Sequence, residues 1–298
     1  MPIAIIVHGG AGDIPPERTE SAIAGCKEAA LVGWRILQAG GSALDAVEAA
    51  ARLLEDNPNF NAGTGSCLTR EGNIEMDAGI MDGRGLQVGA VAGVELIKNP
   101  ISLARKVLES PHVMLIGQGA QAFALEQGFS LCKLDDLLTQ RQYDKWKALH
   151  NSSERAASEE PEKKHGTIGV VAIDITDTLA AATSTGGFID KYPGRVGDSP
   201  LIGCGFYADG NAAISCTGYG EDFTRLMIAK RAADFVAQGA HALEASQAAI
   251  AILSAKASGT GGLITVDRLG NVGFAWNSRN MAYAYLCGEM QEPIGGAS

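Results

Sequence analysis

Apolar positions along this chain change register several times, and each change marks out an element. Residues 3–7 are an unbroken apolar run that predicts a short strand, ended by His8-Gly9-Gly10-Ala11-Gly12. Over 18–38 the apolar residues Ile23, Cys26, Ala30, Trp34 and Leu37 recur at helical spacing, and Gly40-Gly41 stops the helix. Ser42 then stands as the N-cap of a second helix over 43–55, with Asp45 in its first turn, where the helix dipole favours an acid. Residues 57–65, NPNFNAGTG, read as a loop. Strands are expected at 66–70, 73–81, 86–96 and 113–116. Helices are expected after Asn99-Pro100, where proline takes the first helical position, and over 120–127. A further helix over 134–150 grows steadily more polar.

That polarity runs on into 151–164, NSSERAASEEPEKK, which holds no large apolar residue. At Thr167 the pattern reverses sharply into TIGVVAIDITDTLAAATSTGG, an apolar and β-branched stretch. It predicts strands at 168–175 and 178–184 with a tight turn at Thr176-Asp177. A loop over 186–203, a strand over 212–217, helices over 221–238 and 242–256, and a hairpin of 263–267 with 271–277 complete the chain. Antiparallel strands with helix pairs in both halves imply an α+β protein of two sheets covered by helices. We read a single folded unit over 1–298, built from segments 1–150 and 167–298 joined by a polar tether, 151–166.

With 298 residues, 46% hydrophobic and 19% charged, the chain is globular and long enough for a sizeable core. A net charge of −10 argues against a broad nucleic-acid or anionic-membrane surface. The start MPIAIIVHGG lacks the pattern of a secretory signal, and no run reaches the length of a membrane span. Six scattered cysteines without a CxxC pair read as reduced thiols. A cytoplasmic protein is expected.

A polar tether that stops at a threonine, with a buried strand directly after it, is a sensible place to cut a chain. A threonine with a free α-amine carries its own general base. A plain surface linker is the competing reading of Gly166-Thr167. Thr185 lies where the hairpin returns to Thr167, either as an orienting partner for its hydroxyl or as a plain strand-end threonine. Arg195 and Asp198 in GRVGD have the charges to hold an α-carboxylate and an α-ammonium, or form a surface ion pair. Thr217-Gly218 ends a strand just before a helix, a junction whose donors suit an oxyanion. The histidines show no zinc spacing, and neither GxSxG nor a phosphate-binding GxxxxGK[ST] occurs.

Taken together, HGGAG, LLEDNPNFNAGTG, HGTIG, ATSTGG, PGRVGDSP and SCTGYGE occur in order over nearly the whole chain. This set closely resembles the plant-type L-asparaginase/isoaspartyl aminopeptidase family of N-terminal nucleophile hydrolases. The resemblance implies a four-layer αββα sandwich, intramolecular cleavage at Gly166-Thr167, and an (αβ)₂ assembly. It implies Thr167 as nucleophile, Thr185 as its partner, and Arg195 and Asp198 as holders of the aspartyl α-carboxylate and α-amine. Thr217 and Gly218 correspond to oxyanion and substrate contacts, Gly220 to a further α-amine contact, and Asn61 to an asparagine implicated in oxyanion stabilisation. The loop over 54–64 resembles the family's sodium loop, with backbone carbonyls of Leu54, Glu55, Asn57, Phe60, Ala62 and Thr64 as ligands; neutral oxygens suit such a hard cation. The expected activity is release of aspartate from asparagine and β-aspartyl dipeptides. The alternatives are a glycosylasparaginase-like amidase of the same fold and a non-catalytic binder of aspartyl zwitterions. Asp190 and Tyr219 depart from the family pattern, Tyr219 beside the substrate contacts.

Overall fold

A computed structural model describes residues 3–151 and 166–298. The body of the expected tether, 152–165, lies outside the described residues.

Strand alternation explains the layering. In β5 (Ile168–Ile173), Ile168, Val170 and Ala172 point into one buried cluster, while Val171 and Ile173 point into another. In β6 (Leu179–Thr185), Ala180 and Ala182 join the first cluster and Leu179 and Ala181 the second. Successive side chains leave a strand on opposite faces, so strands apolar throughout are buried on both. The first cluster is closed by three helices that pack on the sheet, α1 (Pro16–Gln38), α2 (Ala43–Asp56) and α3 (Pro100–Leu108). The second is closed by another sheet, whose Phe206, Ala213, Ile264 and Val266 fill it.

The larger sheet has eight strands. Across it run β12 (Ile294–Gly296), β11 (Asn280–Cys287), β1 (Ala4–Gly12), β5, β6, β2 (Met76–Asp82), β3 (Gln87–Val94) and β4 (Met114–Ile116). Only the β3–β4 pair is parallel. The smaller sheet orders β10 (Val272–Trp276), β9 (Gly261–Asp267), β8 (Ala212–Gly218) and β7 (Phe206–Ala208). Its far face carries α8 (Ile228–Ala237) and α9 (Ala242–Lys256), which enclose a third cluster around Ile214, Phe223 and Leu253. Helix α4 (Gly117–Glu126) packs beside β3 and β4. None of the described helices is long and apolar enough to cross a membrane.

Several elements differ from the sequence pattern. The glycines at 9–12 do not end β1; the strand runs through them with a bulge between His8 and Ala11. Residues 66–70 are not a strand; Thr69 forms an isolated β-bridge with Lys191. The helix expected over 134–150 is two pieces, α5 (Leu134–Leu137) and α6 (Gln140–Asn151). That over 221–238 is also two, α7 (Gly220–Leu226) and α8, broken at Met227, whose φ of 50° no helix accommodates. The Ser42 cap forms as expected, its side chain accepting from Asp45 N at 3.1 Å.

Candidate active site

The β5–β6 hairpin brings the two threonines together. Ile168 pairs with Ser184 in the antiparallel register, so the next residues outward, Thr167 and Thr185, face each other at the strand ends. Thr167 Oγ1 donates to Thr185 Oγ1 at 3.2 Å, and Gly187 N donates to the same Thr185 oxygen at 3.0 Å. Both side chains are buried. The Thr167 hydroxyl is thus hydrogen-bonded to Thr185.

The peptide bond before Thr167 is packed against backbone. Gly10 has φ +104°, and a Cβ there would stand 2.8 Å from Gly166 Cα and 3.2 Å from Thr167 N. Only glycine combines that conformation with so close an approach. The bulge in β1 thus lays the glycine run directly on the Gly166-Thr167 junction.

Thr217, fully buried near the end of β8, accepts a hydrogen bond from Ala11 N at 3.1 Å through Oγ1. Because a hydroxyl both donates and accepts, this bond leaves the Thr217 proton available. Asn61 is more committed. Its Nδ2 donates to Gly187 O at 2.5 Å, its Oδ1 accepts from Cys67 N at 2.8 Å, and its carbonyl accepts from Gly186 N at 2.9 Å. Asn61 thus braces the 186–187 turn behind Thr185 and keeps one amide proton for further use.

Thr167, Thr185, Arg195, Asp198, Gly218 and Gly220 share one small cleft. A Cβ on Gly220 would lie 2.9 Å from both Arg195 Nη2 and Asp198 Oδ1, so the absent side chain lets both charges face the same space. Arg195 is held in place by the Phe188 ring, 4.4 Å from its Cζ, and by a two-point pair with Glu221. Burial pushes the Asp198 carboxyl up to about 7, against the downward pull of Arg195, and its Oδ2 has no hydrogen-bond partner. An unpartnered buried carboxylate oxygen beside a cleft is a receptor for a cation. Larger clefts lie elsewhere, around Glu48, Arg52 and Phe129, where Ser102 Oγ donates to Glu48 Oε1 at 2.7 Å, and around Glu75, Glu95 and Gln121.

The loop after α2 folds back on itself. Thr64 N donates to Glu55 O at 2.7 Å and Asn57 N to Leu54 O at 3.3 Å. Gly63 and Gly65 have φ of +54° and +98°. A Cβ on Gly63 would meet Glu55 O at 2.4 Å, and one on Gly65 would meet Phe60 O at 2.6 Å and Pro58 O at 2.8 Å. The glycines therefore leave a cradle lined by carbonyl oxygens, each with a second lone pair to offer. That donor set fits a hard monovalent cation. Among the described residues no cluster of His, Cys, Asp or Glu side chains is arranged to hold a metal.

Some of this site was not anticipated. Glu221 opens α7, where an acid reads equally well as a partner of the helix dipole, and its grip on Arg195 left no separate signal. The contacts of His8 depend on strands more than two hundred residues apart.

Fold and site together define a mixed α/β protein in which a threonine just before a buried strand shares one small cleft with Arg195 and Asp198. The asparaginase family model matches residues 1–294, and the chain belongs to that family. It is 50% identical over 309 aligned residues to the plant-type L-asparaginase of Pyrococcus horikoshii, covering 99% of each chain. It is 44% identical over 287 residues to the isoaspartyl peptidase/L-asparaginase of Rattus norvegicus, covering 95% of this chain and 85% of the relative. A zebrafish (Danio rerio) isoaspartyl peptidase/L-asparaginase is likewise 44% identical, over 283 residues, covering 94% of this chain and 91% of the relative.

Proposed function

We propose that the protein is an amidohydrolase that frees L-aspartate from L-asparagine and β-aspartyl dipeptides, with Thr167 as its nucleophile after cleavage at Gly166-Thr167. The observation that carries this reading is the Thr167–Thr185 pair opposite Arg195 and Asp198 in one cleft. Arg195 takes the substrate α-carboxylate on the guanidinium edge that Glu221 leaves free. Asp198 takes the α-ammonium, with Gly220 beside it. The side-chain carbonyl then lies towards Thr167.

Oγ1 of Thr167 adds to that carbonyl, and its proton passes to the Thr167 α-amine. Thr217, with Asn61 and Gly218, steadies the resulting oxyanion. The C–N bond breaks as the α-ammonium returns a proton to the leaving nitrogen, releasing ammonia or an amino acid. Water, deprotonated by the same amine, cleaves the acyl ester to give aspartate and restore Thr167. Both substrates share the aspartyl part and differ only in what leaves.

The layer order in this reading is the αββα sandwich of N-terminal nucleophile hydrolases, and the cut segments pair into an (αβ)₂ assembly. Carbonyls of Leu54, Glu55, Asn57, Phe60, Ala62 and Thr64 would hold a sodium ion, which stiffens the loop that presents Asn61 and takes no part in the chemistry. Six free thiols suit a reducing cytoplasm.

A denaturing gel with N-terminal sequencing tests the proposal. The expected result is two fragments, one beginning at Thr167, whose appearance parallels the gain of activity on both substrates. Intact chains with full activity would overturn it.

A further inference from the structure

Residues 192–195 read Tyr-Pro-Gly-Arg, and the structure folds them as a tight turn. Arg195 N donates to Tyr192 O at 3.0 Å, with Pro193 in the second position and Gly194 at φ +80° in the third. That is the make-up of a type II turn, in which proline presets one angle and glycine takes the other without strain. Arg195 is the exit residue of the turn, so whatever holds the turn decides where its side chain starts from. The central amide, Gly194 N, takes no part in the turn's own hydrogen bond. It donates instead to Glu75 Oε2 at 2.8 Å.

Glu75 holds the same loop a second time. Its carbonyl accepts from Lys191 Nζ at 2.5 Å, one residue before the turn begins. The Lys191 side chain is fully buried and lies against Gly187, where a Cβ would stand 2.9 Å from Lys191 Cδ and 3.1 Å from its Nζ. Gly187 N is in turn the donor to Thr185 Oγ1. Glu75 itself directly precedes β2, and two residues on, Asp77 lies opposite Thr185 in the β2–β6 register. Two routes therefore lead from Glu75 to the partner of Thr167, one through Lys191 and Gly187 and the other along the sheet.

Glu221 and the Phe188 ring touch the Arg195 guanidinium, and neither holds the backbone from which it extends. We propose that Glu75 is a positioning residue for carboxylate recognition: by pinning the turn at Gly194 it sets where the Arg195 guanidinium stands relative to Thr167. The inference rests on the reading of Arg195 as receptor for the substrate α-carboxylate. A carboxylate acceptor makes the Gly194 bond a strong one, and its removal leaves a half-buried N–H without a partner. Asp198, three residues on, is held separately. Its carbonyl lies 2.4 Å from the Cβ position that Gly205 leaves empty, and its N 3.0 Å from that of Gly220. Loosening the turn therefore weakens the grip on an α-carboxylate and spares the ammonium site.

Competitive inhibition of asparagine hydrolysis by two amino acids tests this in active protein. L-Aspartate carries the α-carboxylate, and β-alanine is the same molecule without it. Glu75→Ala should raise the inhibition constant of aspartate by about tenfold, the scale of one hydrogen bond to a charged group, and that of β-alanine by less than about twofold. KM for asparagine should rise with the aspartate value. Glu75→Gln, whose amide oxygen still accepts from Gly194 N, should stay close to the wild type. Where the Ala chain does not fold, Glu75→Asp, which keeps the charge and shortens the reach, is measured in its place with the same expectation. A purely structural role weakens both inhibitors alike, and that result overturns the proposal. So does a Gln variant as weak as the Ala variant, or an Ala variant that matches the wild type. The wild type should itself prefer aspartate; equal affinities there remove Arg195 as the receptor and the Glu75 role with it. A normal wild-type preference that Glu75→Ala leaves intact removes the Glu75 role alone.

Discussion

Arg195 and Glu221 are locked side by side, with Nε 3.0 Å from Oε1 and Nη2 2.8 Å from Oε2. This two-point pair uses one edge of the guanidinium and leaves Nη1 and the second Nη2 proton facing the cleft. Glu221 therefore fixes the orientation of the Arg195 guanidinium, and with it the edge proposed to meet the substrate carboxylate. Glu221→Ala should raise KM for asparagine by about 3–10-fold with kcat little changed, because it removes binding shared by ground and transition states. Steady-state kinetics check this. A fall in kcat at constant KM would assign Glu221 to the chemical step.

If Asp198 holds the substrate ammonium as proposed, substrate binding should depend on pH. Its carboxyl is raised to about 7 from an ordinary value of 3.8, with burial as the chief cause. Only the ionised form accepts the ammonium of an aspartyl group, so affinity should strengthen as pH rises through about 7. Competitive inhibition by L-aspartate reads this without involving proton transfer by the Thr167 amine. Linkage gives a second readout. Between 3.8 and about 7 the native chain keeps a proton that the unfolded chain has lost, so this group's contribution to stability falls as pH rises across that window. Asp198→Asn should gain in melting temperature over the wild type at pH 8 and lose that advantage near pH 4.

The hydrogen bond from Ala11 N to Thr217 separates two roles of one hydroxyl. Its oxygen serves the fold by accepting, and its proton stays available to an oxyanion. Thr217→Val removes both, and loss of one such donor typically lowers kcat by about 10²–10³. Thr217→Ser keeps both and should retain most of the rate. A Ser variant as slow as the Val variant would show that the methyl, not the hydroxyl, matters.

The pairing of Thr167 with Thr185 was legible because a hairpin with a tight turn has a register that can be counted from the turn outward. Helix caps and periods were legible for the same local reason, as Ser42 illustrates. What escaped depends on distant partners. The β11 stretch NMAYAYLC becomes a strand because β1 lies beside it, an alignment between opposite ends of the chain. His8 reads locally as a strand-end residue, and its ring contact with Ser215 depends on a strand more than two hundred residues away. The 66–70 run has apolar residues, yet among the described residues it pairs with no strand and forms a single isolated bridge, Thr69 to Lys191. The family motifs identified the residues of the cleft without revealing that Glu221 grips Arg195 or that Asn61 braces a turn.

The carbonyl cradle after α2 should be measurable apart from catalysis. An ion bound by the native loop and not by the unfolded chain stabilises in proportion to the logarithm of its concentration over its dissociation constant. The melting temperature should therefore be higher in sodium chloride than in choline chloride of equal ionic strength, and should rise with sodium concentration. Gly65→Ala should abolish that increment, because a Cβ at φ +98° would crowd both Phe60 O and Pro58 O. The loss should reach the active site through Asn61, whose carbonyl and side chain hold Gly186 and Gly187 behind Thr185. Self-cleavage of Gly65→Ala should accordingly slow, with no further response to sodium. A melting temperature indifferent to the cation in the wild type would remove sodium from the reading and leave the loop held by its own hydrogen bonds, such as Thr64 N to Glu55 O.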